Sequence, residues 1–459
     1  MSKLKNILLI TTNFPPNPSV GTKRVSKILK YADHKSYRFH VLTLKQLYYD
    51  IDLGEQSGNQ HKIPPSVVVY RTDKSDFTHI FTYLKQRLRT LFKSKGKSAS
   101  HSDKANKKIQ RASAFADQSV SFPLRLLNGL RSFIFFFFEF PDKYIGWLPH
   151  ALIEGKRIID AQNIDIIMAT APPHSVFIIA LILKKLTHRK LVLDFRDPWA
   201  ISRWDSGNPF RYGLERIFER LCIRSADLVF FVTAKMRDEY ARLYHKENTD
   251  KFKLFFNGYD PEDFPEQLRP SQKSAGQPVR FVHLGTLYKR RNPEPLLKAV
   301  KALKDEGKLL PSQAEFLFIG SVVTEVKFIF RRVKELGVEA FVRFLPPIRF
   351  EESIRTMFEA DVLLLIQPDT DLQIPAKLFE YIYTRKPILA LAEPNSATHQ
   401  VLQEGHLGIL APSKDIEAIK KAVLQMIEKK VELNPDSDYI KRFDYRYYIK
   451  EFEKYLYAL

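Results

Sequence analysis

Short apolar runs alternate with longer amphipathic segments along the first half of the chain. These runs, rich in Ile, Leu, Val and Phe, predict buried strands at residues 5–11, 37–43, 66–70, 164–169, 190–195 and 227–233. The segments between several of them predict helices that include residues 23–31, 175–186 and 213–225. Strands that are apolar throughout and are separated by helices are typical of a parallel sheet with helices on both faces.

The same alternation starts again after a polar, Pro-rich stretch at residues 265–278, which we interpret as a linker. Strands are predicted at residues 279–284, 314–319, 340–344, 361–366, 387–391 and 407–410. Helices are predicted at residues 293–306, 324–336, 350–359, 375–384 and 414–429, and the tail 438–459 reads as a closing helix. The sequence therefore predicts an α/β protein with two doubly wound, Rossmann-like domains, residues 1–264 and 279–437, facing a cleft.

Composition excludes several classes of protein. The chain has 459 residues, of which 44% are hydrophobic and 27% charged, so it is not disordered throughout, collagenous or a disulfide scaffold. Cys222 is the one cysteine, which rules out an internal disulfide and favours a reducing cytosol. One cysteine and scattered histidines also argue against a thiolate zinc site.

Positive charge is concentrated in the first part of the chain. Residues 1–200 hold 32 Lys+Arg and 15 Asp+Glu. The other 259 residues are nearly balanced, with 41 Lys+Arg and 37 Asp+Glu. Residues 81–113 alone carry ten basic residues and one acidic residue, and we expect a basic, partly disordered insertion near 93–113. This charge suits nucleic acid or an anionic lipid surface, and on charge alone both alternatives stay open.

No stretch approaches the roughly 20 apolar residues that a membrane-spanning helix needs. The short apolar run at the start of the chain is followed at once by Asn13-Phe14-Pro15-Pro16, which is not a signal-peptide pattern. The most apolar segment, residues 133–138, includes Phe135, Phe136 and Phe137. It suits either a core helix or a contact with a membrane interface, so we expect a soluble or peripheral protein.

Candidate binding groups in the first domain follow three predicted strands. In the loop before the first helix, Gly21 could present backbone N–H groups to an anion, with Lys23 and Arg24 adding charge. His174 follows another strand, as part of Thr170-Ala171-Pro172-Pro173-His174-Ser175, where it could also act as a capping or packing residue. Asp194-Phe195-Arg196-Asp197-Pro198-Trp199 ends a third strand, at the edge where α/β proteins place binding groups, although an Arg–Asp pair there could be structural.

The second domain has basic residues near two predicted helix starts. Lys289-Arg290-Arg291 follows Leu284-Gly285-Thr286 and could neutralise a diphosphate. Pro375 suits the first turn of the next such helix, on which Lys377 and Glu380 share a face, either in a binding role or as a surface ion pair. Asp369-Thr370-Asp371 matches a short D-x-D pattern, which we interpret as a loop rather than a metal site.

Taken together, these residues resemble the GT-B-fold, retaining family-4 glycosyltransferases over nearly the whole chain. The ordered set runs through Pro15-Pro16…Gly21…Arg24, Pro141-Asp142…Trp147, Pro172-Pro173-His174-Ser175, Asp194-Phe195-Arg196-Asp197-Pro198-Trp199, Ala226-Asp227-Leu228-Val229, Asn257-Gly258-Tyr259-Asp260, Leu284-Gly285-Thr286 and Pro375-Ala376-Lys377-Leu378-Phe379-Glu380-Tyr381. The Asp-Phe-Arg-Asp-Pro-Trp block is similar to the branch found in bacterial surface-polysaccharide gene clusters.

The resemblance implies a nucleotide-sugar donor in the second domain and an acceptor in the first. Glu380 would bind the nucleotide ribose and Arg291 the diphosphate. The family's usual arginine after the glycine is Thr286 here, so that charge is missing or has moved to Lys289 or Arg290. The first glutamate of the family's E-x7-E pattern falls at Leu372, with Asp371 as a neighbouring substitute.

The resemblance also implies how the reaction proceeds. The family's histidine beside the sugar falls at Arg196, and Asp197 or His174 could take its role. Cationic side chains and a helix N-terminus can stabilise the diphosphate leaving group, so we expect no metal or cofactor. Retention in this family is attributed to same-face attack by the acceptor hydroxyl, without an enzymatic nucleophile.

The expected function is therefore transfer of a sugar from a nucleotide donor to a lipid-linked or polysaccharide acceptor, at the inner face of the plasma membrane. Lys23, Arg24 and the phenylalanine run would contact the acceptor or the anionic membrane. The alternatives are a nucleic-acid-binding protein that uses the basic half, a GT-B-like nucleotide-sugar epimerase or hydrolase, and a non-catalytic scaffold.

Overall fold

The computed structural model describes residues 4–17, 19–49, 63–75, 139–201, 209–265, 276–429 and 435–459. The insertion near 93–113, the phenylalanine run 133–138 and most of the stretch 265–278 lie outside these ranges. Two parallel sheets make up the described chain, each covered by helices, which confirms the predicted fold class.

The first sheet has seven parallel strands in the order β3-β2-β1-β4-β5-β6-β7. Its strands are β1 Lys5–Ile10, β2 Tyr37–Leu44, β3 Val68–Thr72, β4 Ile166–Ala171, β5 Lys190–Phe195, β6 Leu228–Phe231 and β7 Phe252–Leu254. Its helices are α1 Val20–Tyr31, α2 Leu148–Ala161, α3 Ser175–Thr187, α4 Pro209–Ser225 and α5 Ala234–Leu243. The strand order reverses between β1 and β4, where Ile10 pairs with Ala169, so the loops that follow these two strands lie side by side.

The second sheet has six parallel strands in the order β10-β9-β8-β11-β12-β13. Its strands are β8 Val279–Leu284, β9 Ala314–Ile319, β10 Val342–Leu345, β11 Val362–Gln367, β12 Ile388–Ala392 and β13 Gly408–Pro412. Its helices are α6 Glu294–Asp305, α7 Phe328–Leu336, α8 Phe350–Glu359, α9 Ala376–Thr384, α10 Ala397–Glu404 and α11 Ile416–Ile427. Here the strand order reverses between β8 and β11, which brings the loops before α6 and α9 together.

The end of the chain crosses back to the first domain. Two helices, α12 Ser437–Lys441 and α13 Tyr445–Tyr457, replace the single helix expected over 438–459. Asp444 separates them, because its side chain accepts a hydrogen bond from the Arg446 N–H (2.9 Å) and caps α13. Ile449, Phe452 and Leu456 of α13 pack into the apolar cluster that β1, β2 and α1 form, so this helix belongs to the core of the first domain.

No helix within the described residues is long and apolar enough to cross a membrane.

Candidate active site

Two cations lie together over a glycine at the carboxyl end of β8. Gly285 has φ +140°, which favours glycine, and a side-chain carbon built there would lie 2.8 Å from Lys377 Nζ and 3.9 Å from Arg291 Nη1. Lys377 Nζ donates a hydrogen bond to the Leu284 carbonyl. The cation that lies beside Arg291 at this glycine is Lys377 of α9.

The ionisation of neighbouring groups reflects this positive potential. Burial, together with the charge of Arg291, lowers the pKa of Lys377 to about 8 despite the opposing effect of Glu380. The adjacent His283 is buried on β8, and burial with the charges of Lys377 and Arg291 lowers its pKa to about 3. An anion bound between Lys377 and Arg291 would relieve the repulsion between them.

Helix α9 begins beside this cation pair. Pro375 precedes its first residue and provides no side-chain cap, so the helix N-terminus can present its N–H groups to an anion. The helix also carries Lys377 on its first turn. Two cations, a helix N-terminus and a glycine that lets a ligand approach the backbone form a cradle suited to a diphosphate.

Glu380, on the same helix, pairs with the first domain. Its Oε1 accepts a hydrogen bond from Lys23 Nζ of α1 at 2.7 Å, and Lys23 also lies 3.3 Å from Asp263. Burial alone would lower the pKa of Lys23, but Glu380 and Asp263 raise it above its ordinary value. Lys23 therefore faces the cleft between the domains, where it links α1 to α9.

Arg24, the next residue on α1, points into the core, which corrects the expected acceptor or membrane contact. Its guanidinium donates to both carboxylate oxygens of Asp194, at 3.0 and 2.7 Å. Its other donors bind the Phe255 and Phe256 carbonyls and the Asn257 side chain. Because every N–H of this side chain has an acceptor and the residue is 1% exposed, Arg24 ties α1 to β5 and to the segment after β7.

Arg196 lies over the start of α1. Its guanidinium donates to the Pro172 carbonyl, and a methyl group on Gly21 would collide with it. The Asn13 side chain also donates to the Pro172 carbonyl (2.9 Å), so the loops after β1, β4 and β5 meet here. Gly21 thus makes room for Arg196, a role that its sequence position alone did not indicate.

His174 is held as a neutral ring beside these loops. It stacks on Trp199, with the ring centres 4.9 Å apart and the planes 7° apart. Burial and the nearby charge of Arg196 lower the pKa of His174 to about 3. A hydrogen bond to the Asp197 backbone favours the charged form but is the smaller effect. Its Nε2 is buried and has no hydrogen-bond partner among the described residues.

The segment before α9 crosses the cleft. Thr233, at the start of α5, donates its hydroxyl to the Leu372 carbonyl at 2.6 Å, and the Leu372 side chain packs against the apolar core of the first domain. Gln373 donates to the Asp197 carboxylate. Burial raises the pKa of Asp197 above its usual value, although Arg196 and Gln373 act in the other direction. Sequence reasoning missed Thr233 and Gln373, because neither belongs to a recognisable motif.

Arg290 and Asp371 line a cavity of about 530 Å³, and neither Lys377 nor Arg291 is part of its lining. Its lining comes from four segments and consists of Lys235, Arg290, Asp369, Thr370, Asp371, Glu393 and Pro394. Asp371 is 3.7 Å from Lys235, and Asp369 is 2.7 Å from Lys414. Among the described residues, no group of three or more His, Cys, Asp or Glu side chains is arranged to hold a metal ion.

Two known family models match residues 115–444 of the chain. Residues 115–263 match the family described as Glycosyltransferase Family 4, and residues 264–444 match Glycosyl transferases group 1. The chain belongs to the GT-B glycosyltransferases. The first matched region includes β4 to β7 of the first sheet and the second includes all six strands of the second sheet, so the cation pair and α9 lie in the group 1 region.

Solved structures with the same GT-B arrangement match along the whole chain. Sucrose-phosphate synthase from Thermosynechococcus elongatus is 13% identical with a TM-score of 0.65, and the match covers 99% of this chain and 98% of that one. HepE from Anabaena, in complex with UDP and glucose, is 16% identical with a TM-score of 0.62 and coverages of 99% and 100%. The lipopolysaccharide outer core galactosyltransferase WaaB is 11% identical, with a TM-score of 0.58 and 99% coverage of each chain. At these identities the likeness shows the fold. No curated protein sequence matches this chain.

Proposed function

We propose that this glycosyltransferase transfers a sugar from a nucleoside-diphosphate sugar to a lipid-linked or polysaccharide acceptor, with retention of configuration, in the synthesis of a cell-surface polysaccharide. The observation that carries the proposal is the cation pair of Lys377 and Arg291 over Gly285, beside the N-terminus of α9. This cradle suits a diphosphate in both charge and shape. The Anabaena HepE structure contains UDP, which makes UDP the first nucleotide to test.

The leaving group of such a reaction is a nucleoside diphosphate. Negative charge develops on its phosphate oxygens as the bond to the sugar breaks, and preorganised cations stabilise that charge most effectively in a partly buried site. Lys377 and Arg291 supply the charge without a metal ion. Glu380 lies one turn further along α9, where its carboxylate could accept hydrogen bonds from the ribose hydroxyls once Lys23 yields to them.

Three residues of the first domain face the place where the sugar would react. His174 offers a neutral Nε2, Asp197 a carboxylate and Arg196 a guanidinium, all on loops that meet at the carboxyl ends of β4 and β5. We assign them to positioning the sugar and the attacking acceptor hydroxyl. With same-face attack, none of them has to form a covalent bond to the sugar.

The acceptor class and the location at the inner membrane face are supported by sequence more than by geometry. The net charge of residues 1–200 favours an anionic surface, and the block from Asp194 to Trp199 resembles the surface-polysaccharide branch of the family. WaaB, a lipopolysaccharide galactosyltransferase, shares the fold. These observations favour a lipid-linked or glycan acceptor over nucleic acid.

Donor binding can be tested by thermal unfolding with UDP, GDP, ADP and CDP, each with and without Mg²⁺. A nucleotide at 100 times its Kd should stabilise the folded protein by about 2.7 kcal/mol, which is readily measured. Lys377→Met should weaken binding by roughly 10- to 100-fold, since a charge-assisted hydrogen bond contributes about 1.5–3 kcal/mol. Lys301→Met, at an exposed position on α6 paired with Asp305, is the matched control and should bind like the wild type.

Three results would contradict the proposal. If no nucleotide raises the melting temperature, the donor site is absent. If Lys377→Met and Lys301→Met bind a nucleotide equally well, the nucleotide does not use the cation pair. Donor turnover that stays the same whether or not an acceptor is present would indicate a hydrolase or epimerase instead.

A further inference from the structure

Helix α4 presents an outward face that the rest of the described chain does not cover. Ile217 is 54% exposed and Leu221 is 45% exposed, and the two residues lie one turn apart on the same face. Neither aliphatic side chain belongs to any of the apolar core clusters. Exposed single apolar residues are common, whereas two aliphatic side chains one turn apart form a continuous apolar strip.

The charges of this helix are sorted between its two faces. Both of its acidic residues point inward: Glu215 is 4% exposed and Glu219 is fully buried. Arg220 and Arg224 are exposed, and neither forms an ion pair or a side-chain hydrogen bond with the described residues. The outward face therefore carries apolar and positively charged side chains and no acidic residue.

The inward face of α4 supports the candidate active site. The buried Glu219 carboxylate accepts hydrogen bonds from the Ala200 N–H (2.7 Å), the Tyr240 hydroxyl (2.8 Å) and the Tyr244 hydroxyl (2.5 Å). Tyr240 in turn accepts a hydrogen bond from the Trp199 N–H at 3.0 Å. The helix thus fixes the loop that carries Asp197 and stacks on His174, while its other face is open.

We propose that the outward face of α4, formed by Ile217, Arg220, Leu221 and Arg224, docks on an anionic lipid surface. This inference deepens the proposed function, on which it rests for the location of the acceptor. Aliphatic side chains beside arginines suit the boundary between acyl chains and negative headgroups. Docking here would place the loop of Asp197 near the membrane, where a lipid-linked acceptor is found.

Charge favours lipid over other occupants of this face. A second copy of the chain would bring two cationic faces together, which costs electrostatic energy. Residues 81–113 of this chain are also strongly basic and would be repelled in the same way. A nucleic acid would satisfy the arginines but would leave Ile217 and Leu221 in contact with a polar phosphate backbone.

The test is co-sedimentation of the full chain with phosphatidylcholine vesicles, with and without phosphatidylglycerol. We expect wild type to bind the anionic vesicles, with binding that falls as salt is raised. The double variant Ile217→Ser with Leu221→Ser, and separately Arg220→Glu with Arg224→Glu, should lower that binding about tenfold or more. Phe328→Ser with Phe330→Ser, exposed on α7 of the second domain, is the matched control and should bind like the wild type.

Nucleotide-dependent thermal stabilisation, measured on the same samples, separates this inference from the proposed function. It should be unchanged in both α4 variants, which also shows that they are folded. The docking proposal is overturned if wild type does not sediment with anionic vesicles, or if both α4 variants sediment as well as wild type. It is also overturned if the protein is a dimer that Ile217→Ser with Leu221→Ser dissociates, because this face would then contact a second copy of the chain. In each of these cases, unchanged nucleotide binding would still support the proposed donor site.

Discussion

At the scale of single residues, Lys377 is the group whose ionisation most directly reports on the site. Its pKa is lowered to about 8 by burial and by Arg291, so the free protein loses this charge over a range that is easy to reach. An anion binds the protonated form of Lys377, so the pKa of Lys377 is higher in the complex than in the free protein. The affinity for the anion therefore decreases as the pH rises through the pKa of the free protein.

We therefore predict that UDP affinity falls roughly tenfold between pH 7 and pH 9, since about a tenth of Lys377 stays protonated one unit above a pKa of 8. The terminal phosphate of the nucleotide, with a second pKa of about 6, is already mostly ionised at pH 7 and contributes little over this range. Isothermal titration at several pH values measures the effect. In Lys377→Met the affinity should be weak and nearly independent of pH, and a pH profile like that of the wild type would refute the assignment.

Adjacent residues of α1 show why single positions are hard to assign from sequence. Lys23 and Arg24 differ by about 100° around the helix, so one faces the cleft and the other the core. Both are basic and both follow a loop that was expected to bind anions. The partner of Arg24, Asp194, lies 170 residues away, and no local pattern indicates that the two side chains meet.

At the scale of elements, α1 and α9 are joined across the cleft by Lys23 and Glu380. Their side chains are 19% and 13% exposed, so the pair is shielded from solvent more than a surface ion pair is. A second connection runs from Gln373 to Asp197, and a third from Thr233 to the Leu372 carbonyl. These contacts hold the start of α9 against the first domain.

We predict a coupling of about 1–2 kcal/mol between Lys23 and Glu380 in a double-mutant cycle of Lys23→Ala and Glu380→Ala, because contacting charged residues are not additive. Urea unfolding of the four proteins gives the value. The exposed pair Arg242 and Glu239, one turn apart on α5, is the control and should show less than about 0.5 kcal/mol. Additive effects at Lys23 and Glu380 would show that the contact does not stabilise the arrangement of the domains.

At the scale of the whole molecule, the repeated alternation of strand and helix was sufficient to predict the architecture. The expected strands 279–284 and 314–319 and the helix 350–359 have the same bounds in the structure, because each is a continuous apolar run or a regular amphipathic pattern. Several elements have no counterpart among the expected ones, including the 14-residue helix α2, and two of them are short. The strand β7 has three residues, and α10 has eight, although Ser396 caps it by accepting from the His399 N–H.

The candidate site was predictable only in part. The motif around Pro375 pointed to Lys377 and Glu380, and the spacing from Gly285 pointed to Arg291, because such features are local. The meeting of Lys377 with Arg291, and the role of Leu372 as an apolar contact to the first domain, depend on how the strands are ordered in space. Arg290 lines the cavity beside Asp371, whereas the adjacent Arg291 lies over Gly285, and sequence spacing does not indicate this difference.

The central claim is that a nucleoside diphosphate binds with its phosphates between Lys377 and Arg291. A crystal structure of the chain with UDP tests this most directly. We predict diphosphate oxygens within hydrogen-bond distance of both side chains and of the first N–H groups of α9, with Glu380 turned from Lys23 towards the ribose. A nucleotide bound elsewhere, such as in the cavity beside Lys235 and Arg290, with the Lys377–Arg291 pair empty, would contradict the account.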